Sequence, residues 1–313
     1  MKKKKKNQIV KAALIALIVL SVAAIVYVLQ FKEEPMPQAK PPVTQPSVDR
    51  PVLEKEKPAV PVEKEKPEKE KVVVSKIEKK PLPKPTRRVA IIIDDIGYDM
   101  TAVKNLIAID ADITFAILPH ITYSRRAADM LHQAGRETLL HLPMEPASYP
   151  KAKPGEGALF TDMNEAELIH QMEKNFASVP HVSGVNNHMG SKFMSDEEKL
   201  TLVFRELKKR NMFFIDSRTT PQSKTAAALR TVDVPIGSRT VFLDNERDYN
   251  RIYRILMEVA NAGDRGVPAI MIGHPYPETI RAIRDANRVF REKGVVVVPV
   301  SRLIQKKAPQ GAS

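Results

Sequence analysis

From Arg88 onward, short β-branched apolar segments alternate with amphipathic segments of helical length. The segment Val89–Ile93 is typical of a buried strand, whereas Ser124–Ala134 has the periodicity of a helix. Strands that alternate with helices of this length form parallel βαβ units. Some 220 residues, roughly seven or eight such units, predict an α/β fold that is a distorted or incomplete (β/α) barrel. An open doubly wound sheet is the alternative arrangement.

Local signals refine this prediction at three places. Asn164 is a candidate N-cap for the helix that follows it. Ser195, with Glu198 three residues later, matches the capping box of a second helix. The sequence also predicts a strand at Val232–Ile236, because apolar β-branched residues cluster there.

Acidic residues and histidines recur where the predicted strands end. Any one of them has an ordinary explanation, such as an aspartate that caps the next helix. Because the carboxyl ends of parallel strands meet at one edge of the sheet, their recurrence predicts a shared site there. The polar residues at these strand ends are Asp94, Asp95, His120, His141, Glu145, Asn186, Asn187, His188, Asp216, Arg218, Asp244 and His274.

Two adjacent carboxylates at the end of a buried strand indicate a bound cation. Without one, a carboxylate of such a pair would have to take up a proton. An Asp/His/His set with an open position is typical of hydrolytic zinc sites, and oxygen-rich variants also accept manganese, iron or cobalt. Such a metal polarises a carbonyl and lowers the pKa of a bound water. The chain contains no cysteine, which excludes thiolate ligands and cysteine nucleophiles.

The N-terminal residues 1–31 combine a lysine run with a nearly unbroken apolar stretch from Ala12 to Leu29. This stretch approaches the roughly 20 residues that span a bilayer, and the lysines should stay cytoplasmic. We therefore expect a single-pass signal anchor in the inner or cytoplasmic membrane. The globular domain would be extracytoplasmic, and periplasmic if the envelope has two membranes. A cleaved signal peptide is the alternative.

Residues 32–87 are predicted to be a disordered linker. They contain twelve of the 25 prolines and no glycine, and a proline-rich, charge-mixed composition cannot bury a core. The globular domain is then expected at 88–306, with a disordered tail at 307–313. Much of the net charge of +13 lies in the anchor and linker, where topology and anionic headgroups explain it. We therefore expect no nucleic-acid partner.

The segments around the strand ends resemble the divergent polysaccharide deacetylases, distant relatives of the NodB-type carbohydrate esterases. The resemblance covers Arg88 to Leu303 and rests on "VAIIIDDIG", "TFAILP", "HLPMEP", "NNHMGS", "FFIDSRTT" and "IGHPYPETI". It implies a distorted (β/α) barrel that binds a divalent metal. From the ligand types we expect zinc, with Mn, Co or Fe as alternatives. The resemblance also implies a hydrolase that deacetylates a polysaccharide or a peptidoglycan-like glycan.

The resemblance assigns roles to individual residues. Asp94 would be the general base and Asp95 a metal ligand. His141 keeps the first place of the family's His-x-x-x-His ligand pair, while Glu145 takes the second. His274 would be the general acid toward the leaving amine.

Two departures from the family pattern affect the site. "NNHMG" replaces the family's arginine-proline motif, so His188 is expected to supply the missing imidazole ligand. Glu145 is left open as a ligand, as a partner behind the ligands or as a base. Arg218 is the candidate substitute for the missing arginine, and Asp216 matches an aspartate that orients other site groups. Asn187 and Asp244 are further candidates for supporting the site or binding substrate.

Three functions follow from these features. The first is a membrane-anchored, metal-dependent deacetylase of an N-acetylated envelope or extracellular polysaccharide. The second is a catalytically degenerate module that binds a glycan or an envelope protein at the end of the linker. The third is a hydrolase of another acyl or phosphoryl substrate at the same metal site, which the fold alone does not exclude.

Overall fold

The structure is a computed structural model that describes residues 86–263 and 269–304. Within them, strands and helices alternate almost throughout. The strands are β1 Arg87–Ile96, β2 Thr114–Ile117, β3 Thr138–Met144, β4 Gly184–Met189, β5 Phe213–Asp216, β6 Ile236–Ser238, β7 Val241–Phe242, β8 Ala269–Gly273 and β9 Val295–Val297. The α-helices are α1 Met100–Ile107, α2 Ser124–Gln133, α3 Glu165–Ser178, α4 Glu197–Lys209, α5 Thr225–Thr231, α6 Tyr249–Asn261 and α7 Pro277–Glu292.

All strand pairs in the sheet are parallel, and the strand order is β6-β5-β4-β3-β2-β1-β8-β7, with β9 added beside the start of β1. The sheet curls until its far sides meet through side chains. A Cβ on Gly237 of β6 would lie 2.8 Å from Ile215 and 3.1 Å from Ile270 of β8. Within the described residues, no backbone ladder joins β6 to β7. The predicted incomplete (β/α) barrel is therefore confirmed.

The sheet separates a small inner core from a large outer one. The inner cluster includes Ala90, Ile92, Leu139, Ile215 and Ile270, which alternate along their strands with residues of the other face. The helices pack on the outer face, where the apolar stripe of each helix is buried. In a parallel barrel of this kind, functional polar side chains gather at the carboxyl ends of the strands.

The structure corrects two local predictions. Val232–Ile236 is not a strand, because α5 ends at Thr231 and β6 begins only at Ile236. Ser195 does not cap α4, because its hydroxyl donates to the Ser191 carbonyl. Asp196 is the N-cap instead, and its carboxylate accepts the Lys199 N–H at 3.0 Å.

The cap of α3 is confirmed. The Asn164 side chain accepts the Glu167 N–H at 3.0 Å, and the Glu167 carboxylate accepts the Asn164 N–H at 2.9 Å. This reciprocal pair satisfies two backbone donors at the helix start.

The predicted anchor at 1–31, the tail at 307–313 and the linker up to residue 85 lie outside the described residues. Among the helices between residues 86 and 304 that the structure describes, none combines the length and apolar character needed to span a membrane.

Candidate active site

An irregularity in β1 brings two consecutive carboxylates into one site. Neighbouring residues of a regular strand point to opposite faces. Here Ile93 pairs with Phe115 and Ile96 with Ile117, so β1 carries one residue more than β2 over this stretch. Asp95 occupies the left-handed region, with a φ of 54°, which aspartate tolerates better than most residues. The bulge therefore lets Asp94 and Asp95 both approach the same groups.

Asp95, His141 and His188 place three ligand atoms at the corners of a nearly equilateral triangle. Asp95 Oδ1 lies 3.3 Å from His141 Nε2 and 3.1 Å from His188 Nδ1. The two imidazole nitrogens are 3.1 Å apart. These three residues form a group whose ligand atoms lie close enough together to hold one metal ion.

The triangle fits a zinc-type ion. Ligand bonds of about 2.0–2.1 Å in a tetrahedral site separate the ligand atoms by about 3.3 Å. Asp95 Oδ1 is buried and has no hydrogen-bond partner among the described residues, although a buried carboxylate oxygen normally requires one. A cation bound by Asp95, His141 and His188 would satisfy this oxygen, and two imidazoles with one carboxylate suit zinc as well as other transition metals.

The electrostatics of the site favour positive charge between these residues. Burial lowers the pKa of His141, but Asp94 and Asp95 outweigh it and raise that pKa to about 9. Burial raises the pKa of Asp95, yet the attraction of His141 and His188 outweighs it and holds that pKa well below its usual range. A metal ion at His141 Nε2 would occupy the position at which these carboxylates stabilise a proton.

Asn186 links Asp94 to His141. The Asn186 side-chain oxygen lies 2.9 Å from His141 Nδ1, and its amide nitrogen donates to Asp94 Oδ1 at 2.8 Å. His141 can therefore carry its proton on Nδ1 and donate it in a hydrogen bond to the Asn186 oxygen. This tautomer leaves the Nε2 lone pair directed at the metal site. Burial raises the pKa of Asp94, against the opposing effects of His141, His274 and this amide.

His274 enters the site from the end of β8. Its Nε2 lies 3.8 Å from Asp95 Oδ2, and its Nδ1 lies 2.9 Å from Asp244 Oδ1. Asp244 also accepts the backbone N–H of His274 at 2.6 Å and the Thr279 hydroxyl at 2.8 Å. Burial opposes protonation of His274, but Asp244 outweighs it and raises the pKa of His274. Asp244 thus fixes the ring with Nε2 facing the other site residues.

Three predicted site residues make their contacts away from the triangle. Glu145 accepts from Lys192 Nζ at 2.8 Å and from Thr161 at 2.7 Å, so both carboxylate oxygens are engaged there. One oxygen of the Asp216 carboxylate accepts a hydrogen bond from the Arg218 backbone N–H at 2.7 Å. The other accepts hydrogen bonds from the hydroxyls of Ser223 and Thr225.

The third is Asn187, which supports the neighbouring loop. It accepts the Ser217 N–H at 2.9 Å and donates to the Met189 carbonyl at the same distance. Asn187 and Glu145 therefore hold loops around the site, and neither belongs to the ligand triangle.

Sequence reasoning did not assign roles to two residues at the site, Asn186 and Arg239. Strand periodicity could have indicated Asn186, because residues 186 and 188 share one face of β4. Arg239 follows a strand of only three residues, β6, and its sequence context carries no comparable signal. Its guanidinium donates to the carbonyls of Ser217 at 2.7 Å and Arg218 at 3.0 Å.

The fold and the site define an α/β protein of the NodB type, a curled parallel barrel with a candidate metal centre at the carboxyl ends of its strands. Residues 91–304 match the family described as divergent polysaccharide deacetylase. The chain belongs to this family, as the sequence motifs predicted.

The chain is also similar to several proteins of known sequence or structure. The chain is 33% identical over 201 residues to the uncharacterized protein YibQ of Escherichia coli, a match that covers 63% of this chain and 61% of that protein. It therefore spans less than two thirds of YibQ. An uncharacterized protein of Haemophilus influenzae is 30% identical over 205 residues, covering 66% of this chain and 72% of the relative. The crystal structure of an uncharacterized protein of Agrobacterium tumefaciens superposes with a TM-score of 0.66 at 27% identity, covering 69% of this chain and 89% of that one.

Proposed function

We propose that the chain is a metal-dependent hydrolase that removes N-acetyl groups from an envelope or extracellular glycan. The observation that supports this most directly is the triangle of Asp95, His141 and His188 beside Asp94 and His274. A metal ligand set flanked by a carboxylate and an imidazole is what hydrolysis of an amide requires. The family assignment supports a glycan as the substrate.

Asp95, His141 and His188 would hold the metal, which supplies polarisation of the acyl carbonyl and a lowered pKa of the attacking water. Asp94 accepts the proton of that water. Asn186 fixes Asp94 Oδ1 at 2.8 Å, while Oδ2 lies 3.7 Å from His141 Nε2 and remains available as the proton acceptor.

His274 acts on the leaving group. As a C–O bond forms between water and the acyl carbon, the C–N bond breaks and the departing nitrogen needs a proton. Asp244 raises the pKa of His274 and so favours the protonated ring that can donate from Nε2. The products are acetate and a free amine, and the proton taken by Asp94 balances the one given by His274.

Acetate release from N-acetylated oligosaccharides, with Zn²⁺, Co²⁺ or Mn²⁺ added, tests this proposal. We expect wild-type protein and an Asp162→Asn variant, which changes an exposed aspartate, to release acetate. Asp94→Asn should retain the metal but lose about 10²–10⁴-fold in rate, the usual worth of a general base. Metal-loaded wild-type protein that releases no acetate from any of these substrates would refute the proposal.

A non-catalytic glycan-binding role is the second candidate. It is favoured by the neutral amide of Asn186, which contacts Asp94 where the family motif carries an arginine. On this alternative, Asp94→Ala and His274→Ala would restore a deletion phenotype as well as wild type does. Loss of complementation in both variants, with normal protein levels, favours the enzyme.

We further propose that residues 1–31 anchor the chain in the inner or cytoplasmic membrane and that residues 32–85 hold the domain on the extracytoplasmic side. Arg87, which the sequence analysis assigned to the linker, belongs to β1. The lysine run before the apolar stretch supports this orientation. Protease added to spheroplasts should remove the domain from the intact chain. A domain that is protected until the membrane is disrupted would contradict the orientation.

A further inference from the structure

Two arginines beside the acidic site have no carboxylate partner. Arg218 follows β5 and Arg239 follows β6, and neither forms an ion pair within residues 86–263 and 269–304. Asp216, the acid nearest to Arg218 in sequence, uses its carboxylate for the Arg218 backbone, Ser223 and Thr225. Neither guanidinium therefore has a carboxylate in direct contact within the described residues.

A short chain of contacts connects Arg239 to the proposed reacting groups. Arg239 Nε donates to the Ser217 carbonyl at 2.7 Å, and the Ser217 hydroxyl lies 3.4 Å from the Asn186 amide. The same amide donates to Asp94 at 2.8 Å. Only Ser217 and Asn186 thus separate the guanidinium from Asp94.

Arg239 is held in a fixed orientation. Besides its bond to Ser217, Nη2 donates to the Arg218 carbonyl at 3.0 Å, and the guanidinium carbon lies 4.9 Å from the centre of the Phe242 ring. No hydrogen-bond partner engages Nη1 among the described residues. A guanidinium that is already oriented loses little further freedom when it binds a ligand.

The charges of the site explain why a ligand would be needed. A divalent ion held by Asp95, His141 and His188 would offset the charges of Asp94 and Asp95, so these acids would not compensate the arginines in the metal-bound protein. Burial and the neighbouring charge of Arg218 lower the pKa of Arg239, which Asp94 and Asp216 oppose. Two like charges on adjacent loops repel each other, and an anion between them would relieve that repulsion.

We propose that Arg218 and Arg239 form a subsite for an anionic group, a carboxylate or a phosphate, that the glycan carries near its scissile N-acetyl group. The inference rests on the proposed function and narrows its substrate to acidic N-acetylated glycans. Neutral chitin-type chains leave this subsite unused. The planar donor array of a guanidinium matches the oxygens of either anion.

Binding of matched tetrasaccharides tests the subsite without turnover. The protein is the full metal-loaded chain with His274→Ala to prevent hydrolysis, and titration calorimetry gives the affinities at low salt. The neutral probe is chitotetraose. One anionic probe alternates N-acetylglucosamine with N-acetylmuramic acid and so adds free lactyl carboxylates. The other is chitotetraose that carries a 6-phosphate.

We expect at least one anionic probe to bind about tenfold or more tightly than chitotetraose, since charge-assisted hydrogen bonds carry that much affinity. The preferred probe identifies the anion as carboxylate or phosphate. Arg218→Ala and Arg239→Lys should each remove most of the preference, so that the preferred anionic probe binds with nearly the affinity of chitotetraose to the same variant. Arg284→Ala, which removes an exposed arginine of α7, is the control of equal charge and should change nothing.

Arg218→Ala keeps the test decisive even where substitution of Arg239 disturbs the loop, because the Arg218 side chain is exposed and has no hydrogen-bond or ion-pair partner in the described residues.

The inference is overturned if neither anionic probe is preferred. It is also overturned if a preference survives both arginine substitutions, because the metal itself would then bind the anion. A preference that depends on the arginines, in a protein whose wild type releases no acetate, would refute the proposed reaction and leave the subsite standing.

Discussion

Asn186→Ala tests whether metal binding depends on Asn186, the residue that joins Asp94 to the candidate ligand His141. Asn186 is fully buried and contacts both His141 Nδ1 at 2.9 Å and Asp94 Oδ1 at 2.8 Å. Alanine removes both of these hydrogen bonds, together with the longer one to the Ser217 hydroxyl at 3.4 Å, and changes no metal ligand. The His141 ring would lose the contact that fixes its tautomer and orientation.

Two magnitudes follow from this geometry. Each of the two buried partners left without its hydrogen bond costs about 1–3 kcal/mol, so the free energy of unfolding should fall by about 2–6 kcal/mol. Loss of a hydrogen-bonding partner behind a ligating histidine typically weakens metal affinity by about 10–100-fold. The variant should therefore remain folded, because domains are commonly stable by about 5–15 kcal/mol, but should bind metal less tightly.

Competition with a chromophoric chelator measures the metal affinity, and urea unfolding measures the stability. Asn187→Ala is the matched control, since Asn187 is also buried and hydrogen-bonded, but to Ser217 and Met189. The control should lose stability and keep its metal affinity within about twofold. Equal metal affinity in Asn186→Ala and wild type, or an equal loss in both variants, would refute the role of Asn186.

Three further changes have defined outcomes. Hydrogen bonds from Lys192 and Thr161 outweigh the effect of burial and lower the pKa of Glu145, so its contribution to stability is present at neutral pH and is lost as pH falls below the ordinary glutamate range of about 4.3. Glu145→Gln should thus unfold at lower urea than wild type at pH 7, with the gap closing near pH 3; an unchanged gap would contradict this. Asp244→Asn should lower kcat about 10²-fold or more with metal content unchanged, and a loss of metal would show that Asp244 acts otherwise. Phe214→Ala should cost about 3–5 kcal/mol in urea unfolding, because this fully buried ring packs on the core; a loss below about 1 kcal/mol would mean that the barrel packs differently.

The barrel could be predicted from the sequence because the pattern that indicates it is repeated many times. Alternation of β-branched strands with amphipathic helices is repeated along the whole domain, so errors at single boundaries do not change the fold. The errors fell where local signals were weak: α5 is only seven residues long, and Ser195 and Asp196 are adjacent residues that both suit an N-cap.

The sequence indicated the candidate metal ligands and catalytic residues. It did not indicate the contacts of the residues that hold the surrounding loops in place. Asp94, Asp95, His141 and His274 stand at strand ends, where chain topology alone brings them together. The bulge that directs both aspartates inward depends on the register between β1 and β2, which no motif specifies. The contacts of Glu145 and Arg239 depend on loop conformation, so tertiary structure was needed to find their partners.

Metal content of the purified chain tests the central claim most directly. The account predicts about one transition-metal ion per chain by elemental analysis, lost in His188→Ala and retained in Glu145→Gln, because the Glu145 carboxylate is bound to Lys192 and Thr161. A protein that binds no metal would contradict the account. So would one whose metal survives His188→Ala but not Glu145→Gln.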